Sequence, residues 1–170
     1  PLSDQEVAAL TQLTNGNGNT ASTNSNFVPF IGNWEWQDGN EIFKVEVYAD
    51  ENDLKGHYEL VDSDTNGNET TIYKSNKLLN PSLDFHFGYA IFGGSNDGVL
   101  FHAKIVDNVL MGDGVHTRKN GSLAFTITND GANGQPITAT WKVTILQGLK
   151  STEEPTEFSI PTDIMLTKVE

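Results

Sequence analysis

The sequence predicts an all-β protein: an antiparallel up-and-down β-barrel of about eight to ten strands, preceded by a short N-terminal helix. Three observations lead there. Apolar and polar residues alternate with a period of two from Ile31 to the C-terminus. The runs are separated by short Asn-, Asp- and Gly-rich turns, which leave no room for the helical crossovers of a parallel sheet. The composition, with 16 Gly and abundant Asn and Thr, favours strands and turns over helices. A long meander buries its apolar face by closing on itself, although a two-layer sandwich would satisfy the same pattern.

In chain order, Ser3-Asp4-Gln5-Glu6 forms a capping box, with Leu2 and Val7 placed as a hydrophobic staple. Val7, Leu10 and Leu13 continue as an apolar stripe, so a helix of about ten residues is expected, marginal unless it docks. Residues 14–26 hold no large apolar side chain and read as a flexible linker. The chain thus divides into an N-terminal helix and linker, 1–26, and a barrel domain, 27–170. Phe30-Ile31-Gly32-Asn33-Trp34-Glu35-Trp36 opens the first strand.

Strands are then expected over 41–49, 54–61 and 69–78, with a break at Asn80-Pro81 because proline cannot donate to a ladder. Leu83, Phe85, Phe87, Tyr89 and Ile91 alternate with Asp84, His86 and Gly88 as one further strand. Strands over 99–106 and 109–117 follow. Asn120-Gly121 is the strongest hairpin signal, since a type I′ turn needs positive φ at both central residues. Strands over 122–128, 138–146 and 164–169 complete the meander, with a charged loop at 150–157.

At 170 residues the chain suits one domain. Its formal charge of −13 repels phosphate backbones and anionic lipid, which argues against nucleic-acid binding. The charge serves solubility or, more specifically, attracts cations or a basic partner. Without cysteine there is no disulfide, thiol catalysis or thiolate metal site. No apolar run reaches the ~20 residues of a membrane-spanning helix. The Asn/Thr/Gly-rich acidic character suits an exported bacterial domain, secreted, periplasmic or cell-surface, whose leader is not part of this sequence.

Gly32-Asn33-Trp34 resembles the Gly-x-Trp that opens the first strand of calycins, the lipocalin and avidin group. The order Gly39-Asn40, Phe43-Lys44-Val45 and Leu54-Lys55-Gly56-His57-Tyr58-Glu59 is similar to that of avidins, and Leu166-Thr167-Lys168-Val169 looks like their last strand. The resemblance implies that Gly32, Trp34 and Lys168 are structural, with the indole across the closed end beneath the lysine as a cation–π pair. It does not carry biotin over. Only Tyr58 has a counterpart among the biotin-holding polar residues. Trp36 and Leu60 stand where avidins carry Asn and Ser, and of the walling tryptophans only Trp141 is left.

The candidate ligand-binding set is Trp36, Phe43, Tyr58, Phe87, Tyr89 and Trp141, with Phe85, Phe101 and Phe125 as further inward candidates. These rings either fill the barrel or line a cavity for a small apolar or amphipathic molecule, with Tyr58 and Tyr89 as polar anchors. Asp62, Asp64 and Asn66 fit the first half of a calcium loop, D-x-D-x-N-G, but Tyr73 stands where the bidentate Glu belongs and a plain turn selects the same residues. No cofactor is expected beyond that possible calcium. His57 and His116 read as surface positions, and a two-residue turn at Asp107-Asn108 would set His102 opposite Asp113. No nucleophile–base pair, G-x-S-x-G or H-E-x-x-H occurs, so an enzyme is not expected. The leading expectation is an exported, non-enzymatic barrel with a small ligand in its lumen. The alternative is a packed-core module that binds a protein or a glycan, and a cavity enzyme is a weaker third.

Overall fold

A computed structural model describes residues 24–111, 118–146 and 155–169. They form the strands β1 (Gly32–Asp38), β2 (Glu41–Asp50), β3 (Asp53–Ser63), β4 (Glu69–Lys74), β5 (Leu78–Asn80), β6 (Phe85–His86), β7 (Ile91–Ser95), β8 (Leu100–Asp107), β9 (Lys119–Asn129), β10 (Thr138–Ile145) and β11 (Asp163–Val169). Short 3₁₀ turns occupy Pro81–Leu83 and Ala132–Gly134. Among the described residues no helix is long and apolar enough to cross a membrane. The expected N-terminal helix and most of the linker lie outside the described residues. Asn24 to Asn26 belong to the ordered body: Phe27 N–H bonds to the Asn24 carbonyl, and the Asn26 amide reaches the Asn96 carbonyl at 2.7 Å.

The expected antiparallel closure is borne out. β1, β2, β3, β7, β8, β9, β10 and β11 form a ring of eight strands, sealed where β1 meets β11. Trp34 stands opposite Lys168 there, and Asn33 opposite Val169. β3 carries two neighbours on one side. Leu54 to Gly56 pair with β7, whereas Glu59 to Ser63 pair with β4, with an irregularity between Leu60 and Val61. β4 therefore stands outside the ring.

The closed end follows from local chemistry. Trp34 is fully buried, and its indole N–H donates to the Phe30 carbonyl at 2.9 Å. The Lys168 Nζ lies 5.5 Å from the indole and donates to the Pro29 carbonyl at 3.1 Å. Burial pulls that ammonium below the usual lysine range. Gly32 adopts φ +124°, and a Cβ there would meet Lys168 Cε at 3.2 Å. Glycine is thus required by both conformation and space.

Three strand expectations are corrected. Residues 83–91 are not one strand, because Asp84 takes φ +48° after the Pro81–Leu83 turn and breaks the pleat. Among the described residues β6 pairs only with β5, and Leu83 and Phe85 are exposed. Beyond β8 the chain turns at Asn108 to Met111, residues 112–117 are outside the described set, and β9 begins at Lys119. Asn120-Gly121 is no hairpin turn. It lies inside β9, with Asn120 opposite Val106 and Gly121 opposite both Ile105 and Ile145. The glycine there makes room, since a Cβ would come within 2.7 Å of the Phe158 ring.

Candidate functional site

The interior is filled by rings in mutual contact. Trp34 meets Phe125 at 4.9 Å, Phe125 meets Trp141 at 6.0 Å, Trp141 meets Phe43 at 5.7 Å, and Phe43 stacks on Tyr58 at 5.9 Å. Phe30 and Phe101 extend the stack. Of the six candidate ligand contacts, Phe43, Tyr58 and Trp141 lie in this core. Trp36 and Phe87 pack against it, partly buried. Tyr89 is apart from them: it is exposed, 5.4 Å from Phe92 and beneath the Lys55 ammonium at 4.9 Å.

The Tyr58 hydroxyl is engaged within the protein. It accepts from the Asn108 backbone N–H at 3.1 Å and lies 3.0 Å from the Val106 carbonyl, to which it donates. Asn108 is fully buried, and its side-chain amide donates to the Ser75 carbonyl at 2.8 Å. The Ser75 hydroxyl accepts from Tyr58 N–H at 2.9 Å and sits 3.1 Å from His57 Nδ1. These groups stitch β3 to the β8 end where β4 has diverged and no backbone ladder joins the two. Burial pushes the Tyr58 phenol far above its ordinary range.

The mouth near β9 is closed by residues 155–161. Fully buried Lys119 donates to the Pro155 carbonyl at 2.7 Å with its Nζ 5.3 Å from the Phe158 ring. The Asp107 carboxylate accepts from Ser159 N–H and from Val109 N–H. The Trp141 indole donates to the Pro161 carbonyl at 2.9 Å.

A cleft of about 470 Å³ lies on the outer wall of β1, β2 and β3. Apart from Trp34, Val45 and Tyr58, which belong to the core, its lining residues on these strands occupy the positions alternate to the core residues, so their side chains face away from the lumen. Register builds two rows across it: Glu35–Lys44–Glu59–Lys74, and Asn33–Glu46–His57. Asn76 and Val169 bound the ends, while Trp34, Val45 and Tyr58 supply the floor between the rows. Lys44 bridges Glu69 at 2.6 Å and Glu35 at 3.9 Å. Burial pulls its ammonium down, but Glu69, Glu35 and Glu59 outweigh that and raise it. His57 is half-buried rather than superficial: burial holds its imidazole below the ordinary range while Nε2 contacts the Gly88 carbonyl at 3.1 Å.

The remaining candidates are dispersed. Asp64 organises its own turn, accepting from the Asn66 and Asn68 N–H groups at 2.8 Å each and from the Asn68 amide at 2.9 Å. Those bonds lower its carboxyl below the usual range. Asp62 lies on β3 opposite Thr70 and Glu41. Among the described residues no three His, Asp or Glu gather as a metal site. His102 faces Ala124 and Gly94 rather than Asp113, which lies outside the described residues with His116. Sequence reasoning missed the cleft because its charges sit where a solvated face would carry them. The one available signal was sign alternation between consecutive strands. Comparison with protein-family models, curated proteins and solved structures returns no match.

Proposed function

We propose that this protein is a non-enzymatic interaction module: a rigid, packed barrel that recognises a protein segment on its outer wall. The observation that carries the proposal is the contact of Trp34, Phe43, Tyr58, Phe125 and Trp141 through the interior, while the described concavity of about 470 Å³ opens outward. Small barrels commonly pack their own lumens, and a rigid wall presents charges without an ordering cost. The Glu–Lys–Glu–Lys row favours a peptide over a glycan, because the rings under the cleft are buried and offer no exposed stacking platform. A lumenal apolar ligand would have to part rings already in contact and displace the partners of the Tyr58 hydroxyl. Kinship with the calycins belongs to the same proposal, supported by the first-to-last closure and the Trp34–Lys168 pair. So does an exported location, which rests on composition.

The test replaces Glu46 with a photo-crosslinking residue, and Lys142 on the far wall likewise, in the protein's native setting. A discrete protein adduct from position 46 and none from 142 is the expected result. A small apolar molecule retained in native mass spectra, with no adduct at 46, would overturn the proposal.

A further inference from the structure

Every strand of the ring has a neighbour on each side, but β4 ends the sheet and among the described residues pairs with β3 alone. A strand so placed presents a row of unpaired N–H and C=O groups, which proteins ordinarily blunt with proline, a central charge or a cover. Among the described residues β4 has no proline, central charge or cover within its length, and its one irregularity, opposite Leu60/Val61, leaves Glu69 to Thr71 in regular register. It reads Glu69-Thr70-Thr71-Ile72-Tyr73-Lys74, with charges only at the ends and β-branched or aromatic residues between. Only Tyr73 turns toward the core, and Ile72 stands 50 % exposed.

Charge decides between occupants. A second copy would bring −13 against −13. Beside the edge, Asp62 between Thr70 and Glu41 reinforces that repulsion, while Glu69, opposite Ser63, is held by Lys44 at 2.6 Å. The same field attracts a cationic strand. We propose that the free edge of β4 accepts an extended, lysine- or arginine-bearing polypeptide segment by strand addition: backbone bonds supply the ladder, Ile72 meets an apolar side chain, and the acidic rim selects the basic ones. This edge is the side of β4 away from β3, shares only Lys74 with the lining of the outer cleft, and goes beyond the reading given for it.

The probe is a short synthetic peptide alternating valine and lysine, with its valine–glutamate counterpart as control. Expected are saturable binding of the lysine peptide, weakening with salt, and slowed amide exchange confined to β4 and its flanks. Away from the irregularity adjacent strand N–H groups point to opposite sides, so of Thr70→Pro and Thr71→Pro, which stand in regular register opposite Asp62 and Val61, one removes an outward donor and the other a β3 bond. The variant that keeps the wild-type melting temperature should bind about tenfold more weakly. Glu46→Gln should leave binding unchanged, which separates this edge from the cleft. Equal binding of the glutamate peptide, protection elsewhere than β4, or dimerisation through β4 without peptide would each overturn the inference.

Discussion

Tyr58→Phe separates two roles for one hydroxyl. As the polar anchor of a lumenal ligand, the phenol would cost little stability when removed and would cost ligand affinity. In the structure it accepts from Asn108 N–H at 3.1 Å and donates toward the Val106 carbonyl at 3.0 Å, in a region where Tyr58 and Asn108 are essentially inaccessible. Phenylalanine keeps the ring on Phe43 but leaves the Asn108 donor without its acceptor and the Val106 carbonyl one donor short. An abandoned buried group costs about 1–3 kcal/mol. The carbonyl has a second lone pair available to the ladder, so the N–H dominates and about 2–3 kcal/mol is expected in all. For a chain of this size that lowers the melting temperature by roughly 5–10 °C. Urea denaturation followed by tryptophan fluorescence gives the free energy, and an unchanged m-value would show that only the native state was weakened. A loss below about 0.5 kcal/mol would refute the seam.

Gly32→Ala, placed at φ +124° with its Cβ 3.2 Å from Lys168 Cε, should cost about 1–3 kcal/mol in the same assay and weaken the first-to-last pairing. Gly121→Val should drive the Phe158 ring off β9 and speed amide exchange at Ser159, leaving the β1–β11 junction protected. His57 gives a pH signature: its folded pKa lies below the ordinary 6.5, so the unfolded state binds more protons between the two values. Stability should therefore fall as pH drops below about 6.5, and His57→Gln should abolish that slope, measured by urea midpoints across the range. The carboxylates held low, Asp64 and Asp97, act only in a more acidic window.

The barrel was legible because its determinants are local and repeated. Phe43, Val45 and Val47 announce one face of β2, and Ala139, Trp141 and Val143 one face of β10, by alternation alone. Closure was legible from its ends, where Gly32-x-Trp34 and Lys168 have few other reasons to occur together in this pattern. Three features resisted for physical reasons. Leu83 to Ile91 carries a strand's alternation, but one left-handed residue, Asp84, reverses the path, and periodicity does not register a single dihedral angle. Asn120-Gly121 carries a turn's chemistry, yet its glycine is needed for Phe158, which is distant in sequence. Buried Ser75, Asp107, Asn108 and Lys119 look like turn and surface residues because each is satisfied by a partner that only the fold brings near, Asp107 by Ser159 N–H.

The divergence of β4 from the ring connects the two outer surfaces. A barrel wall needs a neighbour for β3 along its full length, yet β7 supplies one only from Leu54 to Gly56. Above that point β3 turns to β4, and the gap toward β8 is closed by Tyr58, Ser75 and Asn108 instead of a ladder. Bending β4 outward carries Lys74 and Asn76 to the rim of the outer cleft and leaves the far side of β4 without a strand. The polar seam thus permits both surfaces. Breaking it with Asn108→Ala should loosen β4 as a unit, so amide exchange across Thr70 to Lys74 should quicken together while the Trp34 end stays protected. If β4 exchange were unaltered, the strand would owe its position to β3 alone.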